Sequence, residues 1–222
     1  MPIHKRILVA TTNPGKLTEI KAMLGGDVEW VGLSDFPGIK EVKEDGTTFA
    51  ENARKKATEY AKATGLWTIA DDSGLVVDAL GGEPGVNSAR FSGEKMAGED
   101  RTLIDHRNIA KVLELLKNVP REKRTARFVC CLCLASPQGI LAETRGTLEG
   151  VIADREIGSN GFGYDPIVFV PGANKTVAQM TTEEKNAISH RGNAIRKLKP
   201  MLDKLLRRQG MNRREVRAWP DN

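Results

Sequence analysis

A chain of 222 residues, 40% of them hydrophobic, is long enough to bury a full core as one large or two small domains. Its formal net charge of +5 suits an anionic partner, yet aromatics make up only 5% and no stretch interleaves basic with stacking residues, which argues against a nucleic-acid binder. Cys130, Cys131 and Cys133 share one apolar run without the Cys-x-x-Cys spacing of a zinc site, and the run Ile7 to Ala10 is too short for a signal peptide or a membrane span. The expectation is a reduced, cytoplasmic protein with no nucleic-acid or membrane partner.

Arg6 to Thr11 reads as a strand, followed by the turn Asn13-Pro14-Gly15 and an amphipathic helix from Leu17 to Leu24, closed by Gly25-Gly26. Val28 to Leu33 is a second strand. Thr48 to Thr64 is the clearest helix: Thr48 and Glu51 form a capping box, Phe49, Ala53, Ala57 and Ala61 repeat every four residues, and Gly65 stops it. Trp67 to Asp71 and Leu75 to Leu80 are predicted as two strands flanking a turn at Asp72-Ser73-Gly74. Residues 92 to 108, charged and poorly periodic, are expected to be an exposed insertion before a helix at Ile109 to Leu116. Arg127 to Ala135 and Leu141 to Ile152 pair as a hairpin across Ser136-Pro137-Gln138-Gly139. After the glycine-rich loop Gly158 to Pro166 come a strand at Ile167 to Val170, a helix capped by Thr182, and a helix from Asn193 to Arg208 that Pro200 should kink or split. The whole reads as one α/β domain over residues 1–208, a central mixed sheet with flanking helices and two lobes around a cleft, followed by a basic, frayed tail at 209–222.

The candidate chemistry lies in loops. Successive strand side chains face opposite ways, so of Asp71 and Asp72 one is free to face a cleft while the other anchors a turn. Asp also favours turns for purely structural reasons, and its neighbours decide the matter. Thr11-Thr12-Asn13-Pro14-Gly15-Lys16 joins a strand to a helix N-terminus, where unpaired backbone donors and Lys16 would receive an anion, although Leu17 replaces the hydroxyl of a Walker A loop. Glu44 precedes the capped helix, and Glu44 with Asp72 would supply the two carboxylates that a hard divalent cation takes alongside phosphate oxygens; Glu41 is the neighbouring alternative. Lys56, further along that helix, could point back toward the same cleft, and Ser73 stands beside Asp72 in its turn. Phe162, between Gly161 and Gly163, is a ring with little reason to sit on a loop unless it covers something such as a base; packing of Phe162 and Tyr164 into the core is the competing reading. Asp165 could accept from a ring N–H, and His190 and Arg191 could donate to a ring carbonyl.

Thr11-Thr12-Asn13-x-x-Lys16, Asp71-Asp72-Ser73-Gly74-Leu75, Pro84-Gly85-Val86-x-Ser88-Ala89-Arg90, Gly161-Phe162-Gly163-Tyr164-Asp165-Pro166 and Ser189-His190-Arg191-Gly192-x-Ala194 together resemble the inosine triphosphate pyrophosphatase family, in the right order from Arg6 to Leu206. The charged segment at 93–108, Pro200 and the basic tail depart from it and are expected to lie away from the cleft. The resemblance implies an ITPase-like fold and a homodimeric, Mg2+-dependent enzyme that cleaves ITP, dITP and XTP to the monophosphate and pyrophosphate. It implies that Thr11, Thr12, Asn13, Pro14, Gly15, Lys16, Lys56 and Ser73 hold phosphates and sugar, and that Glu44 and Asp72 serve the metal and activate water. It assigns Phe162, Gly163, Tyr164, Asp165, Lys185, His190 and Arg191 to the base end. A Maf-like pyrophosphatase of modified nucleotides is the alternative; it should lack Ser189-His190-Arg191.

Overall fold

The computed structural model describes residues 5–26, 28–93 and 99–216. In chain order the elements are β1 (Lys5–Val9), α1 (Pro14–Leu24), β2 (Val28–Gly32), α2 (Phe49–Thr64), β3 (Trp67–Val77), α3 (Arg101–Leu116), β4 (Thr125–Ser136), β5 (Gly139–Ile152), β6 (Val168–Val170), β7 (Lys175–Thr176), α4 (Thr182–Ile188) and α5 (His190–Val216). They build one seven-stranded sheet in the order β2-β1-β3-β4-β5-β6-β7. β1 is parallel to β2 and β3, and the remaining neighbours are antiparallel, so the sheet is mixed as expected.

The period-two alternation of the strands sorts their side chains onto two helical layers. Ile7, Val9, Ile69, Cys130, Leu132 and Leu134 pack against Ile20 and Leu24 of α1 and Ile195, Leu198 and Leu202 of α5. On the other face Leu8, Ala10, Ala70, Val129, Cys131 and Cys133 meet Ala53, Ala57, Tyr60 and Ala61 of α2. A third cluster, at the far end of the long strands, joins Leu75, Val77, Phe128 and Leu148 to Ile109, Val112 and Leu116 of α3. The cysteines are free and buried, as their apolar run suggests. Among the described residues no helix is long and apolar enough to cross a membrane.

Strand length positions the site. β1 ends at Val9, and the last link to its neighbour is Ala10 N–H donating to Ile69 O at 2.8 Å. β3 continues to Val77 with β4 on one side only, Asp71 opposite Leu132 and Asp72 opposite Cys131. The expected turn at Asp72-Ser73-Gly74 is therefore absent, because β4 supplies an unbroken ladder across all six residues from Asp71 to Val76. Asp71 consequently anchors no turn. A cleft opens where β1 gives way to the Thr11–Lys16 loop, the crevice at strand carboxyl ends that open α/β sheets use.

Several helix boundaries differ from the sequence reading, α1 among them, which begins at Pro14 rather than Leu17. α3 begins at Arg101, with the Asp100 side chain accepting from Leu103 N–H, so residues 101–108 of the supposed insertion are helix; residues 94–98 lie outside the described residues. Its inward face carries Asp105 and Asn108 between Ile104 and Ile109, and those two polar residues broke the apolar period. α4 is capped by Thr181 rather than Thr182. α5 begins at His190 because Ser189 Oγ accepts from Gly192 N–H at 3.0 Å, an N-cap, and it runs on through Pro200 to Val216 where fraying was expected; residues 217–222 lie outside the described residues.

The start of α5 lies directly on β5 at Gly146, where a Cβ would stand 2.1 Å from His190 O and 2.6 Å from Ala194 N. Both obstacles are backbone and cannot swing aside. Gly146→Ala should destabilise the protein by about 1–3 kcal/mol in urea denaturation, whereas Gly172→Ala, which meets nothing within 4 Å, should stay within about 0.5 kcal/mol.

Candidate active site

The cleft is an open cavity. It is lined by every sequence-predicted site residue except Pro14 and Gly15. Pro14 lines an adjoining groove with Phe36, Pro37 and Ile39, and Gly15 lies against the Phe162 ring, 2.8 Å from where its Cβ would be.

At one end α2 meets the middle of β3. Asn52 and Lys56 share the inward stripe of α2 with Ala53 and Ala57, so helical spacing aims both at Asp72. Asn52 Nδ2 donates to Asp72 Oδ2 at 3.1 Å, Lys56 Nζ lies 3.7 Å from Asp72 Oδ1, and the same ammonium lies 3.0 Å from Glu44 Oε1. Asn52 Oδ1 in turn accepts from Gly46 N–H at 2.8 Å, which ties the acidic loop to the helix. Burial pushes the Asp72 carboxyl up to about 6, Lys56 opposing and Glu44 adding to the rise. Burial also opposes the charge on Lys56, but Asp71, Asp72 and Glu44 more than offset it and its pKa is raised.

Two carboxylates converging on one ammonium make a fit for a divalent cation of the magnesium type, which uses one or two protein carboxylates and completes its shell with phosphate oxygens and water. Glu44 and Asp72, which share Lys56, would be that pair; Glu41 lines the cleft as well. Among the described residues no group of three or more His, Cys, Asp or Glu gathers as an all-protein metal cage.

The opposite face of β3 carries Asp71, which is 1% exposed. Its Oδ2 lies 3.1 Å from Lys16 Nζ and 3.3 Å from Arg191 Nη2, and Ser73 Oγ donates to it at 3.1 Å, while Oδ1 has no hydrogen-bond partner among the described residues. Burial alone would raise this carboxyl, but Lys16 and Arg191 hold it well below the usual carboxylate range. Asn13 caps α1, its Oδ1 accepting from Lys16 N–H at 3.2 Å, with Pro14 at the first helical turn.

The far wall combines the start of α5 with the Gly161–Pro166 loop. Asp165 Oδ2 accepts from Phe162 N–H at 3.0 Å and from Lys185 Nζ at 2.8 Å, and the same oxygen sits 2.1 Å from where a Gly161 Cβ would be. Gly161, at φ +81°, has no substitute on either count. Burial raises the Asp165 carboxyl, with Lys185 opposing. The Phe162 ring belongs to none of the three core clusters and is half-buried, with Lys185 Nζ 4.5 Å and Arg191 Cζ 5.7 Å from its centroid. Tyr164 packs in the third core cluster and donates its hydroxyl to Ser88 O at 2.8 Å. His190 stacks on Phe128 with centroids 4.8 Å apart, and its Nδ1 is unpartnered among the described residues. Burial and then the nearby Arg191 and Lys185 push its pKa well below the ordinary histidine value, so the imidazole is neutral.

Several residues were not singled out from sequence. Glu19, one helical turn beyond Lys16 on α1, accepts from Arg191 Nη1 and lies 3.1 Å from Lys185 Nζ. Asn52 orients Asp72. Arg101 and Asp105 line the cleft, which corrects the expectation that the charged segment lies away from it. Nothing in local pattern marks these four as site residues; only their partners across the sheet do.

Residues 7–201 match the Ham1 family. The chain belongs to that family. Over 198 residues it is 52% identical to a dITP/XTP pyrophosphatase of Geobacter sulfurreducens, covering 89% of this chain and 96% of that one. It is 50% identical to a dITP/XTP pyrophosphatase of Exiguobacterium sibiricum over 204 residues, 90% of this chain and 98% of the relative. Among solved structures it resembles the Ham1 protein of Staphylococcus aureus (43% identity, TM-score 0.79) and a HAM1 protein of Coxiella burnetii (38% identity, TM-score 0.80), each matched over 90% of this chain and 99% of the other. These matches give no support to the Maf-like alternative.

In this Ham1 chain the acid–base properties of Asp72 have a measurable signature. Its folded pKa of about 6 exceeds the 3.8 of an unperturbed aspartate, so the folded state holds the proton more tightly and Asp72 contributes stability at low pH that is lost as pH rises between those values. Asp72→Asn lacks that loss. The Tm of the variant relative to wild type should therefore move in the variant's favour by roughly 3–8 °C between pH 4.5 and pH 8. A pH-independent difference in calorimetry would contradict the assignment.

Proposed function

We propose that this chain is a nucleoside triphosphate pyrophosphohydrolase that converts ITP, dITP and XTP to the monophosphate and pyrophosphate by attack of water at the α-phosphorus. One observation carries the reading: a single cleft holds, at one end, a carboxylate with its pKa near neutrality beside a second acid and a lysine, and at the other an unpacked ring among buried cationic and neutral donors. The names of the relatives agree with it. A homodimer is proposed on the family resemblance alone.

The charge balance of the cleft supports a metal requirement. Lys16, Lys56, Arg90, Arg101, Lys185 and Arg191 line it together with Glu41, Glu44, Asp72, Asp105 and Asp165. Six basic groups against five acidic ones leave it close to neutral, so a triphosphate must bring a counter-cation. Magnesium held by Asp72 and Glu44 would supply charge neutralisation and Lewis acidity at the phosphates.

The chain's own residues supply the rest. Asp72, ionised above about pH 6, accepts a proton from water, held in orientation by Asn52. Lys56 offsets charge on the reacting phosphate. Lys16 keeps two of its three N–H donors beyond the one given to Asp71 and can offer them to the departing pyrophosphate. Phe162 stacks on the base, and Lys185 over the same ring favours an electron-rich partner.

Base selection follows from counting donors. Arg191 gives Nη1 to Glu19, Nε and Nη2 to Asp71 and Nη2 to Ser73, which among the described residues leaves one N–H of its five uncommitted. The neutral His190 contributes one more N–H at most. A 6-keto oxygen satisfies such a donor, whereas the adenine amino group leaves it buried and unpaired at a cost of about 1–3 kcal/mol.

Pyrophosphate release across a panel of nucleoside triphosphates, with and without magnesium, tests the proposal. ITP, dITP and XTP should exceed ATP, CTP and UTP in kcat/KM by at least about a hundredfold, and chelation should abolish turnover. Equal rates across the panel, or release of orthophosphate alone, would overturn it.

A further inference from the structure

The Phe162 loop is held from two directions. Its backbone turns through glycines at φ +81° (Gly161) and φ +62° (Gly163), and two consecutive amides inside it end on carboxylates from different elements. Phe162 N–H donates to Asp165 Oδ2 at 3.0 Å, a bond within the loop, and Gly163 N–H donates to Asp105 Oδ2 at 2.7 Å, a bond 58 residues away in sequence on α3. Asp105 is 8% exposed, and its other oxygen lies 3.0 Å from Arg101 Nε one helical turn back.

The same helix braces the wall across from this loop. Asn108 Nδ2 lies 3.4 Å from both Ser88 O and Ala89 O, its Oδ1 accepts from Ser92 N–H at 2.8 Å, and Ser88 O also receives the Tyr164 hydroxyl. The buried polar stripe Asp105–Asn108 thus ties the Gly85–Arg90 segment and the Phe162 loop to one rigid element. A buried carboxylate on a helix otherwise lined by Ile104, Ile109 and Val112 is costly, and its partners lie in the cleft rather than in the core.

We propose that Asp105 is a positioning residue for base recognition: through the Gly163 amide it fixes the Phe162 loop, and hence the ring plane, before substrate arrives. The inference rests on the reading of Phe162 as the base platform. It predicts a loss in binding rather than in the chemical step, because Asp105 touches neither Asp72 nor its neighbours. Removing Asp105 lets the loop sample other conformations, and the substrate must then order it.

The test pairs kinetics with amide exchange. Asp105→Ala should raise KM for ITP about tenfold with kcat changed less than about twofold, the weight of one buried charge-assisted hydrogen bond. Asp105→Asn, which keeps an acceptor oxygen for Gly163 N–H, should stay within about threefold of wild type. In a Phe162→Ala background the Asp105→Ala penalty should vanish, since its effect passes through that ring. Hydrogen–deuterium exchange on the ligand-free protein should show the Gly163 amide protected in wild type and released in Asp105→Ala. Unprotected exchange in wild type overturns the proposal whatever the variants do, as would a penalty that persists in full without Phe162 or an Asn variant as impaired as Ala. Failure of wild type to hydrolyse ITP would instead overturn the function, and the exchange result would still decide what Asp105 does to the loop.

Discussion

Two adjacent carboxylates in the middle of a central strand are the constraint around which this molecule is organised. Alternation along β3 sends Asp71 to one face of the sheet and Asp72 to the other, at 1% and 6% exposure, where an uncompensated charge would cost several kcal/mol. Each face therefore has to deliver cations to β3. Lys16 from α1 and Arg191 from α5 meet Asp71; Lys56 from α2 approaches Asp72. These three helices are registered to the sheet by these contacts as well as by their apolar stripes.

The two acids receive opposite treatment, and the difference assigns their roles. Asp71 draws two direct cationic contacts and a serine hydroxyl on one oxygen, and its carboxyl stays far down in pKa, permanently charged. Asp72 has the Asn52 side-chain amide, the Ser73 backbone N–H, one lysine at 3.7 Å and a like-charged Glu44 nearby, and burial raises its carboxyl toward neutrality. The first is a fixed anchor that joins the Lys16 end of the cleft to the Arg191 end. The second is under-neutralised, which is the condition that favours a cation or a proton transfer.

Much of this was legible in the sequence where a local rule and a tertiary need agree. The Thr48–Glu51 capping box, the β4–β5 hairpin and the buried apolar cysteine run all appear as read, because each is decided by neighbours within a few residues. The supposed turn after Asp72 failed because Ser-Gly is a turn signal in isolation, while the β4 ladder and the approach of Ser88 Oγ to 2.3 Å from a Gly74 Cβ position give the same two residues a different reason to be there. The first half of α3 was missed for a related reason: Asp105 and Asn108 spoil its apolar period in order to hold loops 58 and 20 residues away. Glu19 and Asn52 carry no local signal at all, since each is defined only by cations or carboxylates that the fold brings to it.

If the acid on the α1–α5 face is the anchor described, removing its charge must be felt by the whole fold. The most direct measurement is the urea denaturation midpoint of Asp71→Asn. Leaving the buried Arg191 and the half-buried Lys16 beside a neutral amide should lower stability by about 3–5 kcal/mol, the penalty for breaking a buried ion pair from one side. A variant as stable as wild type would show that the cations are held by other means, and would contradict the claim that Asp71 ties the two ends of the cleft together.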